Sequence, residues 1–483
     1  MKPAFPFIIT TTIALLITSP SFSQEMGLQK KNTNGKMIIE QTVKAYGGEK
    51  TLNAIDKIYI DYKTTIISRG QSRGTTPPWD TIIADQKEAI DFSKDLVITE
   101  YTGQGGGSKV SIRTEIEGQS GHRLDLYSET SAPIYNTDFQ SLAGQITRTN
   151  STLLLKQAIK YKNDCKYLGE QLYNGKPHHL IQINPNNEPS ITLYIDKSIK
   201  QISKSERSTD NFKIEYFFGK YQKQDGLLLP FQSSYSVNGD LARTMEVEAY
   251  TLNQPVRDLF SKHSTFTNIL GDKVTPPATT VLDKGVYWVT QNLGGGLFGQ
   301  SSLFIEFKDY VLMVGALSGA RQRINHIKNK LGEKPIKYAI ISHHHSDHIG
   351  GIQEIVEEGI PILVAKAHQG VISDSLSSKD KANIVVVGSD KSFYDESMRV
   401  DIINIGPTPH SIDFLLVHLP KLGIIFAADH FEIPSNGPLP PQSENSAFLA
   451  KLIQENNLNV TRIIPSHSAR IASYEDLITV NNT

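Results

Sequence analysis

The sequence has almost no cysteine, no marked excess of charge and, beyond its first residues, no long hydrophobic run. Cys165 is the only cysteine among 483 residues, which excludes an intramolecular disulfide. The net charge is −1, and lysine and arginine are spread along the chain without a basic block, which argues against a nucleic-acid partner. No stretch after the N-terminus reaches transmembrane length, so we predict no transmembrane anchor in the mature protein.

The N-terminus has the pattern of a cleaved signal peptide. Lys2 gives a short positive region, Phe5 to Ile17 is apolar, and Ser21-Phe22-Ser23 is a small-residue cleavage pattern. We therefore predict a signal peptide over residues 1–23, cleavage before Gln24 and a periplasmic or otherwise exported protein. A single thiol in an exported protein fits a periplasm better than an environment where disulfides hold proteins together.

The length of the chain favours two domains, and the first has the pattern of an antiparallel β domain. We place it at residues 36–262, beginning with a helix over Met37–Tyr46 that Gly47-Gly48 ends. Asn-Gly pairs at 174–175 and 238–239 predict hairpin turns. The predicted strands lie at Ile58–Tyr62, Ser111–Ile116, Leu180–Ile183, Ile191–Ile195, Phe212–Phe218, Leu227–Phe231 and Met245–Tyr250.

Three short patterns of this first domain loosely resemble the lipoprotein-carrier family of the bacterial envelope. They are Ala45-Tyr46-Gly47-Gly48, Tyr194-Ile195-Asp196-Lys197 and the segment Asp225–Pro230. The resemblance implies a curved sheet that holds an acyl chain against helices. A lipid or envelope ligand is therefore a predicted partner of this domain.

The most informative segment is His-His-His-Ser-Asp-His at residues 343–348. An apolar run, Tyr338–Ser342, precedes it and predicts a buried strand, and apolar residues at helical spacing follow from Ile349 to Val356. Four of the six side chains are of the kinds that bind transition metals. On extended backbone His343 and His345 point to the same side and can reach one ion.

Further metal-binding side chains follow three other apolar or proline-broken runs. His410 lies in the turn Gly406–Ser411, Asp429 ends the strand Gly423–Ala428, and His467 follows Ile463–Pro465. Asp347 and His348 are adjacent and can face a second ion. Because a catalytic zinc usually takes three protein ligands and a water, these scattered residues would complete two neighbouring sites.

With these residues in place, residues 280–475 resemble the metallo-β-lactamase-fold hydrolase superfamily. The resemblance implies an αββα sandwich at 281–475, in a chain of the α+β class overall. Pro276-Pro277 marks a linker, at 263–280, before it. It also implies that His343, His345 and His410 bind one metal. Asp347, His348 and His467 would bind the other, and Asp429 would bridge the two.

The resemblance further implies a hydrolase that acts on a small molecule. A hydroxide bound to two Zn²⁺ ions, or alternatively to iron or manganese, would attack an ester, thioester, lactone or amide-like bond, with Asp347 orienting it. Because members that hydrolyse antibiotics usually lack a bridging carboxylate, Asp429 favours the glyoxalase-II-like and lactonase-like branches. The glycine-rich hairpin Gly294–Gly299 would lie near the mouth, where Phe298 is a candidate substrate contact.

Two positions depart from the family pattern. Gly315 stands where many members carry an aspartate, and Ala428 stands where many have glycine before the bridging aspartate. His344 and His430 neighbour the ligands in sequence and are expected to point away from the metals.

Two other functions remain open at this point. Some relatives hold a single iron on the same ligand types and oxidise persulfides, which would make this protein a redox enzyme. A non-enzymatic protein, with a lipid-binding or envelope-binding first domain and a non-catalytic metal domain, is the other alternative.

Overall fold

A computed structural model of the chain describes residues 22–482, apart from positions 136, 187, 210, 263–264, 270, 272, 295–298, 378–381, 435–436 and 469. Within these ranges, helices and a long run of strands come first, and alternating strands and helices follow. Among the described helices, none is both long and apolar enough to cross a membrane. The predicted signal peptide lies almost wholly in residues 1–21, outside the described part.

The first part of the chain forms one large sheet. Its neighbours pair antiparallel, except the last short strand, which runs parallel to the sixth. All seven predicted strands belong to it. The strands are β1 (Lys57–Ile67), β2 (Thr81–Asp91), β3 (Leu96–Gly105), β4 (Ser108–Glu117), β5 (Ser120–Asp125), β6 (Thr130–Ile134), β7 (Lys166–Tyr173), β8 (Lys176–Ile183), β9 (Ile191–Asp196), β10 (Ile202–Ser208), β11 (Lys213–Gln224), β12 (Leu227–Val237), β13 (Asp240–Leu252) and β14 (Thr267–Asn268).

The predicted Asn-Gly turns join neighbouring strands of this sheet. Asn174 and Gly175 have φ of 49° and 74° between β7 and β8, and Asn238 and Gly239 have φ of 53° and 85° between β12 and β13. Both central residues of a type I′ turn require positive φ, which asparagine and glycine adopt at little cost. The two turns therefore fix the register of their hairpins.

Helices cover one face of the sheet: α1 (Phe22–Ala45), α2 (Glu49–Asn53), α3 (Phe139–Thr149) and α4 (Ser151–Lys160). The predicted leading helix is the last part of α1. Helices α3 and α4 were not predicted, and each begins at a capping side chain. Asp138 accepts a hydrogen bond from the Ser141 N–H, and Asn150 accepts from the N–H groups of Thr152 and Leu153.

The residues behind the lipoprotein-carrier resemblance hold this domain together. Tyr46 is fully buried and its hydroxyl donates to that of Tyr221 at 3.0 Å. Gly47 has φ of 110°, and a Cβ there would lie 2.1 Å from the Gly226 carbonyl oxygen. These contacts are packing contacts. No described contact in this domain supports a lipid or envelope ligand, which stays a prediction.

The second part of the chain forms two further sheets. The first contains β15 (Ala278–Asp283), β16 (Val286–Gln291), β17 (Gln300–Glu306), β18 (Val311–Val314), β19 (Ile336–Ile340), β20 (Ile362–Ala365) and β21 (Ile384–Val387). The second contains β22 (Lys391–Tyr394), β23 (Arg399–Asn404), β24 (Leu415–Leu419), β25 (Ile424–Ala428), β26 (Arg462–Pro465) and β27 (Ala472–Ser473). Their helices are α5 (Ala320–Leu331), α6 (Ile352–Glu357), α7 (Gln369–Ser375), α8 (Glu444–Glu455) and α9 (Tyr474–Asn482).

These sheets stack face to face. Side chains of both sheets, such as Ile305 and Leu416, share one buried core, to which α8 and α9 add Ile453 and Leu477. Helices α5, α6 and α7 pack on the outer face of the sheet that contains β15 to β21, through a separate core. The predicted αββα sandwich and α+β class are therefore confirmed. The sandwich matters for the site because the carboxyl ends of β19, β25 and β26 meet at one edge.

Candidate metal centre

All seven predicted metal-binding side chains meet at this edge of the sandwich. They form two groups whose candidate ligand atoms lie within 4.8 Å of one another. The first group comprises His343, His345, His410 and Asp429, and the second comprises Asp347, His348, Asp429 and His467. The local sequence explains the positions, because each ligand lies in a loop that begins or ends a short buried strand.

The first group, which we name cluster one, has three imidazoles around one carboxylate oxygen. His410 Nε2 lies 3.1 Å from His343 Nε2 and 3.1 Å from Asp429 Oδ2. His343 Nε2 lies 3.7 Å from the same oxygen, and its ring stacks on Phe414 with centroids 5.3 Å apart. His345 is fully buried, and its Nδ1 has no hydrogen-bond partner among the described residues.

The second group, cluster two, is more open. His467 Nε2 lies 2.9 Å from Asp347 Oδ2 and 3.1 Å from His348 Nε2. His348 Nε2 lies 2.8 Å from Asp429 Oδ2. The side chain of Asp347 is 33 % exposed, whereas those of His348 and His467 are 1 % and 13 % exposed. Asp347 is therefore the ligand that solvent reaches most easily.

The geometry of both clusters fits divalent cations. Ligand atoms at about 2.0–2.1 Å around a tetrahedral zinc lie roughly 3.3 Å from one another, close to the observed nitrogen-to-nitrogen distances of 3.1 Å. Two atoms that face the clusters, His345 Nδ1 and Asp429 Oδ1, are buried without a partner in the described structure. Such atoms are costly unless a ligand satisfies them. Asp429 contacts both clusters and is placed to bridge two ions.

The charges of the clusters favour a cation as well. Burial would raise the pKa of Asp347 and of Asp429, but the neighbouring imidazoles hold both values below the ordinary one. Burial lowers the pKa of His343 and His345, so these rings are neutral. Metal ligation requires these protonation states, ionised carboxylates and neutral imidazoles.

His410 and His467 differ from these two imidazoles. Burial lowers the pKa of His410, but its contact with Asp429 outweighs burial and raises the value. His467 follows the same pattern. Burial alone would lower its pKa, but its hydrogen bond to Asp347 and the charge of Asp429 raise it to about 10. In the absence of a metal, its proton therefore supplies positive charge between the two carboxylates. A metal at cluster two would replace that proton.

Neither neighbouring histidine enters the clusters. The Nε2 of His344 donates to the Gly74 carbonyl at 3.2 Å, and its ring stacks on His368. His430 is buried against Phe414, with its Nδ1 3.3 Å from the Ala427 carbonyl oxygen. Burial lowers the pKa of His430 to about 3, so this ring is neutral.

The two departures from the family pattern have local explanations. Gly315 follows β18 with φ of 90°, and its carbonyl accepts from the Ser302 hydroxyl at 3.0 Å. That hydroxyl accepts in turn from Arg323, whose buried guanidinium also donates to backbone carbonyls of the same loop. Ala428 has φ of 46°, a left-handed conformation that glycine adopts more easily.

Several contacts of the site escape prediction from the sequence. Glu432 accepts from the backbone N–H of His467 at 2.9 Å, and burial raises its pKa. The only feature of the sequence that points to Glu432 is its position three residues after Asp429. Gln71, Ser72 and Gly106 of the first sheet also contact cluster residues, although nothing in their sequence indicates it. The candidate substrate contact Phe298 lies outside the described residues.

A family model matches much of the second part of the chain. Residues 295–467, which include all seven cluster residues, match the family model of the metallo-beta-lactamase superfamily. A search of curated proteins finds no match. Among solved structures, a metallo-beta-lactamase from Pontibacter korlensis is 18 % identical, with 42 % of this chain and 97 % of that chain covered and a TM-score of 0.35.

Two other solved structures give comparable values. The mono-zinc form of the metallo-beta-lactamase FIM-1 from Pseudomonas aeruginosa is 22 % identical, over 43 % of this chain and 94 % of that chain, with a TM-score of 0.34. A metallo-beta-lactamase from Hirschia baltica is 19 % identical, over 43 % and 97 % of the two chains, with a TM-score of 0.33. On the family-model match, residues 295–467 of this chain belong to the metallo-β-lactamase superfamily.

Proposed function

We propose that this protein is a metal-dependent hydrolase that holds two divalent ions, with zinc as the metal. The observation that carries the proposal is the convergence of five imidazoles and two carboxylates into two clusters that share Asp429. A donor set rich in imidazole nitrogen, with carboxylate oxygens and tetrahedral spacing, suits zinc better than the harder magnesium or calcium. The substrate is a small molecule with an ester, thioester, lactone or amide-like bond.

The chain's own residues have distinct roles in this proposal. When bound, the two ions would lower the pKa of a water and polarise the substrate carbonyl. Asp347 is the accessible carboxylate and the group placed to orient that water and to accept its proton. Asp429 is 14 % exposed and belongs to both clusters, so it would fix their separation. The rings of Phe414 and His430 pack behind His343 and His410 and keep solvent from that side.

We also propose that the protein is exported and acts outside the cytoplasm. The support is the N-terminal pattern of Lys2, the apolar run Phe5 to Ile17 and the small residues Ser21-Phe22-Ser23. The mass of the protein recovered from a periplasmic fraction tests this, because cleavage before Gln24 removes a defined segment. Recovery of the uncleaved chain from the cytoplasm alone would contradict it.

The hydrolase proposal is tested with a His345→Ala variant on a panel of esters, thioesters, lactones and β-lactams. We expect kcat/KM on any accepted substrate to fall by more than about 100-fold, since one ligand of cluster one is lost. His326→Ala is the matched control, because His326 lies on α5 and contacts Thr279 of β15, away from both clusters. Circular dichroism checks that both variants are folded. Full activity in folded His345→Ala protein would refute the proposal.

A further inference from the structure

Two turns of the first sheet reach the metal clusters of the second part of the chain. One is the segment 69–74 after β1, which we name the Gln71 turn. The other is the hairpin between β3 and β4 at Gly106-Gly107, which we name the Gly106 tip. Both lie far from the ligands in sequence and outside the matched family segment, yet both form hydrogen bonds with ligand residues or their loops.

The Gly106 tip holds His410. The Nδ1 of His410 donates to the Gly106 carbonyl oxygen at 2.7 Å, which leaves Nε2 facing cluster one. Asn445, which is 1 % exposed at the start of α8, donates to the same carbonyl at 2.8 Å. Gly107 has φ of 77°, and a Cβ there would lie 2.1 Å from Asn445 Oδ1. The tip can approach this closely only because glycine occupies the position.

The Gln71 turn docks against the loop that carries four of the ligands. The Gly70 carbonyl accepts from the Ser346 N–H at 2.9 Å. The Ser72 carbonyl accepts from His345 Nε2 at 3.1 Å, which leaves the buried Nδ1 of that ring for a metal. The Arg73 carbonyl accepts from the Ile412 N–H at 2.8 Å, in the loop of His410. The turn thus bridges two ligand loops.

Gln71 itself contacts a ligand with its side chain. Its Nε2 donates to Asp347 Oδ1 at 2.7 Å. The other carboxylate oxygen, Oδ2, faces His467 Nε2 at 2.9 Å. The amide therefore occupies one oxygen of Asp347 and directs the other into cluster two.

Residues 70–74 read Gly-x-Ser-x-Gly, the pattern of a serine-hydrolase nucleophile, but the structure excludes that role. Such a serine is exposed on a turn from a strand into a helix. Here the turn lies between two strands, Ser72 is fully buried and its hydroxyl accepts from the Asp80 N–H at 2.9 Å.

A histidine that binds a metal usually donates its second ring N–H to an oxygen acceptor, which fixes the tautomer and the orientation of the ring. In cluster one the acceptor for His343 is the adjacent Ser342 hydroxyl, at 3.1 Å. The acceptors for His345 and His410 come from the first sheet instead. Without those turns, two of the three imidazoles would lose the contact that orients them.

We propose that the first domain contributes to the metal centre by orienting its ligands. The Gly106 tip and Ser72 orient His410 and His345 of cluster one. Gln71 is the positioning residue for Asp347 in cluster two. This inference rests on the proposed metal-dependent function. It assigns the first domain a role in metal affinity, and it predicts that the Gly106 tip acts on cluster one and the Gln71 side chain acts on cluster two.

The Gln71 part is tested by titrating metal-free full-length protein with Zn²⁺ against a competing chromophoric chelator. We expect Gln71→Ala to lower the affinity for one of the two Zn²⁺ ions by about 10-fold or more. This is the usual effect of removing a hydrogen bond to a metal ligand. Gln104→Ala is the matched control, because Gln104 also crosses between the domains, donating to Glu444 at 3.1 Å without touching a ligand. The control is expected to bind both ions as the wild type does.

The Gly106 tip is tested with Gly107→Ala, which forces Asn445 and the tip apart. We expect this variant to bind Zn²⁺ more weakly at cluster one. Gly118→Ala is its control, because Gly118 has φ of 60° but no atom within 4 Å of an added Cβ, so it bears the backbone strain alone. Asn445→Ala removes the clamp on the Gly106 carbonyl without backbone strain and is expected to act in the same direction. Melting temperatures show that the variants are folded.

The assignment to clusters is tested in a His467→Ala background, where cluster one alone is intact. There Gly107→Ala should still weaken the remaining Zn²⁺ ion, whereas Gln71→Ala should have no effect. If the wild type binds two ions and the turn variants match their controls, this inference is refuted while the proposed function stands. If the wild type binds no Zn²⁺, both are refuted.

Discussion

We predict that the buried side chain of His368 makes the stability of this protein sensitive to acid. Its side chain is fully buried beneath the ligand loop, and its ring stacks on His344 with centroids 4.8 Å apart. Its Nε2 donates to the Asp413 carbonyl at 2.6 Å, and its Nδ1 is buried without a partner among the described residues. A second ring proton, on Nδ1, would therefore have no hydrogen-bond acceptor among the described residues. Burial accordingly lowers the pKa of His368 from 6.5 to about 4.

The sign and size of the effect follow from these two values. Between pH 6.5 and about 4 the unfolded chain binds a proton at this residue and the folded protein does not. The free energy of unfolding therefore falls as the pH falls through this range and levels off below it. At about 1.4 kcal/mol per pH unit, His368 alone accounts for a loss of about 3 kcal/mol between pH 7 and pH 4.

Urea unfolding of wild-type and His368→Gln protein at several pH values between 7 and 4 measures this loss. The glutamine amide can still donate to the Asp413 carbonyl but does not titrate. A chelator in all samples removes the contribution of metal release. We expect the wild type to lose about 3 kcal/mol more than the variant over this range. Parallel pH dependences of the two proteins would refute the reasoning.

Three other predictions concern stability. Arg323→Met should lower the free energy of unfolding by about 2–4 kcal/mol, because it leaves buried backbone carbonyls unpaired. The control is Arg321→Met, which removes an exposed ion pair and should lower the free energy of unfolding by less than about 1 kcal/mol. Urea unfolding of both variants checks this, and equal costs would contradict it. Ala428→Gly should stay within about 1 kcal/mol of the wild type in the same assay, since relief of the left-handed strain offsets the lost methyl group. Ala427→Gly is its control, and an equal loss in both would contradict the strain. Chelation should lower the melting temperature, and added Zn²⁺ should restore it. At 100 times the dissociation constant, bound Zn²⁺ adds about 3 kcal/mol to the free energy of unfolding. An unchanged melting temperature would argue against a bound metal.

The cluster residues could be found from the sequence because their signals are local. His343, His345, Asp347 and His348 lie within six residues after an apolar strand, and the strand ends that carry Asp429 and His467 are equally distinct. Strands β25 and β26 are parallel neighbours, which brings Asp429 and His467 together at one edge of their sheet. The end of β19 lies in the other sheet, so its place beside them was expected from the resemblance to the superfamily. Their role as metal ligands remains a prediction.

The contribution of the first domain could not be found in this way. Ser72 and Gly106 act through backbone carbonyls, which every residue possesses, so their side chains carry no signal. Gln71 is an ordinary polar residue in a turn. Helices α3 and α4 escaped prediction because they are short, at 11 and 10 residues, and their stability comes from packing on the sheet.

Every function proposed above requires that this chain holds two metal ions on the clusters that share Asp429. The most direct test is elemental mass spectrometry of mature full-length protein recovered after export. We expect about two zinc ions per chain, falling to about one in a His467→Ala variant. A wild-type protein without metal, or one whose metal content the variant leaves unchanged, would contradict it.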